Sequence, residues 1–81
     1  MQKAEIESEV MEQVSLASGI AVEDIKQEQL LADDLALDSL DLIELTLSLE
    51  DKFDIDIPDN DVERLQTPRD VIEYVAEKKG V

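Results

Sequence analysis

The sequence predicts an all-α fold, a small bundle of three main helices and one short one, and three observations lead there. Apolar residues recur at helical spacing in three separate stretches. Start and stop signals for helices bracket those stretches. No segment alternates apolar and polar residues as a half-buried strand requires, and there is no internal repeat or low-complexity run.

The first helix is expected from about Lys3 to Ala17, where Ile6, Val10, Val14 and Ala17 share one face and acidic residues occupy the others. Ser18-Gly19 supplies the stop, because glycine readily takes the left-handed conformation that closes a helix. The segment from there to Leu37 has no long period. Ile20, Val22, Ile25, Leu30, Leu31, Leu35 and Leu37 give it apolar anchors, so it reads as a connection pinned to the core. The second helix is expected from Ser39 to Lys52, with Asp38 as N-cap and Asp41 at the capping-box position. After a turn at Asp56-Ile57-Pro58-Asp59, residues Asn60 to Leu65 have room only for a short helix. Thr67-Pro68-Arg69-Asp70 then starts the last helix with a hydroxyl cap, a proline at the first position and an acid at the third. That helix buries Val71, Ile72 and Val75 with Tyr74 at one edge, and its closing Lys78-Lys79-Gly80 suits the negative end of the helix dipole.

The second helix is apolar on two opposed sides. At about 100° per residue, Leu42, Leu45, Leu49 and Phe53 form a core face, while Leu40, Ile43 and Leu47 lie nearly opposite. So small a bundle cannot cover a helix all round. Glu44, Glu50 and Asp51 flank the second stripe, and burying unpaired carboxylates is costly, so this stripe is assigned to contact with a partner.

Charge narrows the class of partner. With 22 acidic and 7 basic residues the net charge is −15, and from Asp33 to Asp61 there are 11 acids against Lys52 alone. Such a surface repels nucleic-acid phosphates and anionic lipid, and it steers toward basic protein surfaces. The 81 residues are read as one domain, 1–81, at the size where a single core barely offsets chain entropy. There is no cysteine, no long apolar run and no signal-type N-terminus, so a cytoplasmic monomer without membrane insertion is expected. No metal site is expected either, since no acidic stretch has the spacing and central glycine of a calcium loop.

Asp38-Ser39-Leu40-Asp41 is the most informative segment. A serine hydroxyl is a poor nucleophile until a base takes its proton, and this chain has no histidine. Catalysis by the chain itself is therefore not expected, and no catalytic residue is assigned. Ser39 is better read as a hydroxyl that another enzyme modifies, at a helix N-terminus whose free N–H groups favour an anionic substituent.

The stretch Leu35-Ala36-Leu37-Asp38-Ser39-Leu40-Asp41 resembles the modification site of acyl carrier proteins. Glu44-Leu45, Leu49-Glu50-Asp51-Lys52-Phe53 and Asp56-Ile57-Pro58 fall at that family's spacing, and the likeness runs without gaps from about Ile6 to Lys79. The resemblance implies that a phosphopantetheinyl transferase attaches 4′-phosphopantetheine from coenzyme A to Ser39. The thiol of that arm would carry an acyl chain as a thioester. Acyl transferases and synthases with basic docking surfaces would then grip the second helix through Asp38, Leu40, Asp41, Ile43, Glu44, Leu47, Glu50 and Asp51. The family's acyl pocket maps onto Leu31, Leu45, Leu49, Phe53, Ile57, Val62, Leu65, Val71 and Tyr74. Strong acidity resembles the stand-alone carriers of fatty acid synthesis. Ala36 and Leu37 depart from the glycine and alanine of many housekeeping members, and Ser18 stands where a larger apolar residue is expected. A specialised carrier of polyketide, aminoacyl, peptidyl or other unusual cargo is the alternative, and an unmodified acidic adaptor would use Ser39 only as a cap.

Overall fold

A computed structural model describes residues 1–81 and consists of helices joined by turns, with no strand. Helix α1 spans Lys3–Ser18, a single 3-10 turn covers Val22–Asp24, α2 spans Ser39–Phe53, α3 is the short Asp59–Val62, and α4 spans Pro68–Lys79. The three long helices fall within a residue or two of their expected limits. Helix α3 is shorter than the expected Asn60–Leu65 and is followed by a turn.

Each helix end has a local cause. Gly19 takes φ 75° and donates its N–H to the Ser15 carbonyl at 2.8 Å, which closes α1. At the start of α2, the Asp41 N–H donates to Asp38 Oδ1 at 2.9 Å and the Asp38 N–H donates to Asp41 Oδ2 at 3.2 Å, a complete capping box. Thr67 and Asp70 exchange the same pair of bonds at the start of α4, at 3.1 and 3.2 Å, with Pro68 at the first helical position. Gly80 closes α4 in the left-handed region.

Helix α1 packs on both α2 and α4 around a core of 18 apolar residues, none of them charged. Ile6, Val10 and Val14 of α1, Leu45, Leu49 and Phe53 of α2, and Val71, Ile72 and Val75 of α4 are buried as their periodicity indicates. Leu42 is half-buried against this core, and Met11 and Ala76 join it from positions that the periodicity had left out. Tyr74, expected at an edge, is buried.

The connection from Gly19 to Asp38 is pinned, although by fewer side chains than expected. Ile25, Leu31, Leu35 and Leu37 are buried and Ile20 is half-buried, while Val22 and Leu30 face solvent. Backbone bonds do the remaining work: the Leu31 N–H donates to the Gln66 carbonyl at 2.8 Å and the Arg69 N–H to the Gln27 carbonyl at 3.1 Å. Those bonds tie the connection to the turn between α3 and α4 and to the first turn of α4. No helix is long and apolar enough to cross a membrane.

Candidate functional site at the start of the second helix

Two buried leucines aim the chain into α2. Leu35 and Leu37 are inside the core, the Leu37 N–H donates to the Leu31 carbonyl at 3.0 Å, and Ala36 between them takes φ 58°. That left-handed turn at a non-glycine residue delivers Asp38 as N-cap and leaves Ser39 exposed as the first residue of α2. The N–H groups of Ser39 and Leu40 have no protein acceptor, whereas those of Asp41 and Leu42 are taken by Asp38. An anionic group on the Ser39 oxygen would meet free donors and the positive end of the α2 dipole. The chain has no histidine or cysteine that could activate the Ser39 hydroxyl.

The stripe on α2 is open to solvent. Leu40, Ile43 and Leu47 are 63%, 56% and 59% exposed, unusual values for large apolar side chains. Glu44 and Asp51 stand exposed beside them without an ion pair. Asp38 is exposed and Asp41 half-buried, and their carboxylates are occupied by the cap. Glu50 is placed otherwise than its sequence position indicates. It is half-buried, and its Oε2 accepts the Ile57 N–H at 2.8 Å, bracing the turn that follows α2. Glu50 sits at the border of the stripe, where a bond across the turn outweighs exposure.

A cavity of about 480 Å³ opens beside α2, between it and the segment from Ile57 to Gln66. Its wall brings together seven of the nine residues that the resemblance assigns to an acyl pocket: Leu31, Leu45, Leu49, Ile57, Val62, Leu65 and Val71. Ser39 lines the same cavity. Phe53 and Tyr74 do not; Phe53 is sealed in the core, and Tyr74 turns toward α3 and donates its hydroxyl to Asp61 Oδ2 at 2.7 Å. Burial, then the bond to Asp61, push the Tyr74 phenol up to about 12. Leu42, Ile43 and Leu47 also reach the wall, so part of the exposed stripe doubles as the cavity's rim. Thr46, Glu50, Asp59, Glu63 and Gln66 add polar groups that spacing alone does not indicate.

The site thus joins an exposed serine at a helix N-terminus to the wall of a mostly apolar cavity. The residues fit a phosphodiester-linked arm: free N–H donors for the anion and apolar wall for what lies beyond it. Comparison with known proteins agrees. The family described as the phosphopantetheine attachment site matches residues 8–75. Acyl carrier proteins of Chlorobium phaeovibrioides (strain DSM 265 / 1930) and Chlorobium luteolum (strain DSM 273 / BCRC 81028 / 2530) are each 40% identical over 78 residues, 96% of this chain and all of the relative. The acyl carrier protein of Chloroherpeton thalassium (strain ATCC 35110 / GB-78) is 40% identical over 75 residues, 93% of this chain and 94% of the relative. The chain belongs to the acyl carrier protein family. It is thereby a member of a family of carriers rather than catalysts, whose covalent cofactor is 4′-phosphopantetheine.

Proposed function

We propose that Ser39 bears the 4′-phosphopantetheine arm and that the chain carries acyl groups on it as thioesters, for enzymes of fatty acid synthesis. The observation that carries this reading is the exposed Ser39 hydroxyl at the N-terminus of α2, in the wall of a mostly apolar cavity. A phosphopantetheinyl transferase supplies the base that takes the Ser39 proton, the Ser39 oxygen bonds to the phosphorus that leads to pantetheine, and the pyrophosphate bond of coenzyme A breaks with adenosine 3′,5′-bisphosphate as the leaving group. The loaded arm then has two environments. The cavity shelters an apolar chain, because burying alkyl surface is favourable by about 25 cal/mol per Å². The stripe of Leu40, Ile43 and Leu47 with Glu44 and Asp51 meets an apolar patch rimmed by basic residues on acyl transferases and synthases, which presents Ser39 to their active sites. The chain acts as a monomer and not as an enzyme. A cytoplasmic location belongs to the proposal, since a reducing compartment keeps the arm's thiol free for acylation.

Intact mass after treatment with a phosphopantetheinyl transferase and coenzyme A tests the reading. The wild type should gain one arm and Ser39→Ala none. Ser39 has no rival, since Ser8, Ser15, Ser18 and Ser48 lie within α1 or α2. A wild type left unmodified by several broad-specificity transferases, or a mass gain in the alanine variant, would overturn it.

A further inference from the structure

Glu50 is the one carboxylate of α2 that the fold turns toward the cavity. It lines the wall, it is half-buried, and its Oε2 is fixed by the Ile57 N–H at 2.8 Å, while Ile57 itself is a buried wall residue. No lysine or arginine pairs with it. Asp59 and Glu63 line the same cavity, and none of its 17 lining residues is a cation. Glu50 stands 11 residues beyond Ser39, roughly 16 Å along the axis of α2. The cavity therefore has an apolar wall running from the attachment point and a fixed, uncompensated negative charge at some distance from it.

We propose that Glu50 sorts the cargo by the charge at its far end: chains ending in a methyl or an ammonium group enter the cavity, and chains ending in a carboxylate are held out in solvent. The inference rests on the proposed attachment at Ser39 and deepens it by naming the cargo class that the cavity refuses. Like charge close to a low-dielectric wall is poorly screened, so a terminal carboxylate meets repulsion as well as the loss of its own hydration. A terminal ammonium loses hydration too, and Glu50 offsets that loss with a charge-assisted partner. Desolvation by itself would exclude both charged ends alike. The difference between them is the signature of the negative wall, and its loss on neutralising Glu50 is the part that Glu50 supplies.

The experiment loads the full chain at Ser39 with three acyl arms of one length that end in methyl, amino and carboxyl groups. Methyl NMR shifts of Leu49, Val62 and Val71 report entry, and the rate of thioester cleavage by hydroxylamine reports shelter. Wild-type protein should shelter the methyl and amino chains and leave the carboxyl chain exposed, with about a tenfold difference in sheltered population between the two charged ends. Glu50→Gln keeps an acceptor for the Ile57 N–H and removes the charge, so it should reduce that difference while the methyl chain enters as before. Equal behaviour of amino and carboxyl chains in the wild type, or an unchanged difference in Glu50→Gln, overturns the role of Glu50 alone. Failure of the arm to attach at Ser39, or of the methyl chain to enter, overturns the inference together with the reading beneath it.

Discussion

Reversing Glu44 and Asp51 to lysine separates a docking contact from the bulk charge of the chain. Both carboxylates are exposed on α2 and free of ion pairs, so their reversal leaves the fold unchanged. Glu50, which the sequence places with them, is unsuitable because it holds the Ile57 N–H. In the proposed docking, each reversal removes an attraction to a basic partner group and installs a repulsion of similar size. Exposed pairs are worth roughly 0.2–1 kcal/mol, so four such changes come to about 2 kcal/mol, or about thirtyfold in productive encounter. Glu12 and Glu23 are the control, exposed and unpaired on α1 and the 3-10 turn. Each reversal adds two charges, so either pair moves the net charge from −15 to −11. Charge placed away from the contact is screened within about 8 Å at physiological ionic strength, and the control should slow by about threefold at most. The assay is the initial rate of arm transfer and of acyl loading, followed as salt is raised, with circular dichroism to show both variants folded. The gap between the pairs should narrow with salt, since steering is electrostatic. Equal slowing by both pairs would mean that bulk charge steers association and that the surface around Leu40, Ile43 and Leu47 is not where partners dock.

Three further outcomes follow from the fold. Ala36→Gly should stabilise the protein by about 0.5–1 kcal/mol, since an L-residue at φ 58° is strained by roughly 1–2 kcal/mol and glycine's extra chain entropy cancels only part of that. A melting temperature raised by several degrees would show it, and an unchanged or lowered one would refute it. Tyr74 should make the fold sensitive to alkali: its phenol titrates near 12 when folded against about 10 when unfolded, so its contribution is whole below pH 10 and is lost as pH rises from 10 to 12. Tyr74→Phe should flatten the fall in urea midpoint over that window, and a fall as steep as the wild type's would exclude Tyr74 as its source. Added salt should raise the melting temperature, more so for divalent cations, because four ion pairs leave most of the 22 acids unpaired. A flat response from low to moderate salt would show that the carboxylates are spaced widely enough to ignore one another.

What the sequence reveals and what it hides follow from the range over which each feature is determined. Helix limits and caps are settled by residues three or four apart, so Asp38 with Asp41, Thr67 with Asp70, and Gly19 are legible before any fold is known. Ser39 is legible for the same reason, together with the absence of histidine from the chain. The connection from Gly19 to Asp38 is different. Its anchors follow no period, and whether Leu30 or Leu31 turns inward depends on a bond from Leu31 to Gln66, 35 residues away. Glu50 and Tyr74 belong with it. A helical wheel sets Glu50 at the margin of an exposed stripe and Tyr74 at the margin of a buried one, and at a margin the outcome belongs to a single partner across a turn. Ile57 supplies that partner for Glu50, and Asp61 supplies it for Tyr74. Both partners lie in the stretch around α3, the part of the chain with least periodicity of its own. The same stretch forms the outer wall of the cavity, which is why the core face of α2 could be read from spacing while the charged wall facing it could not.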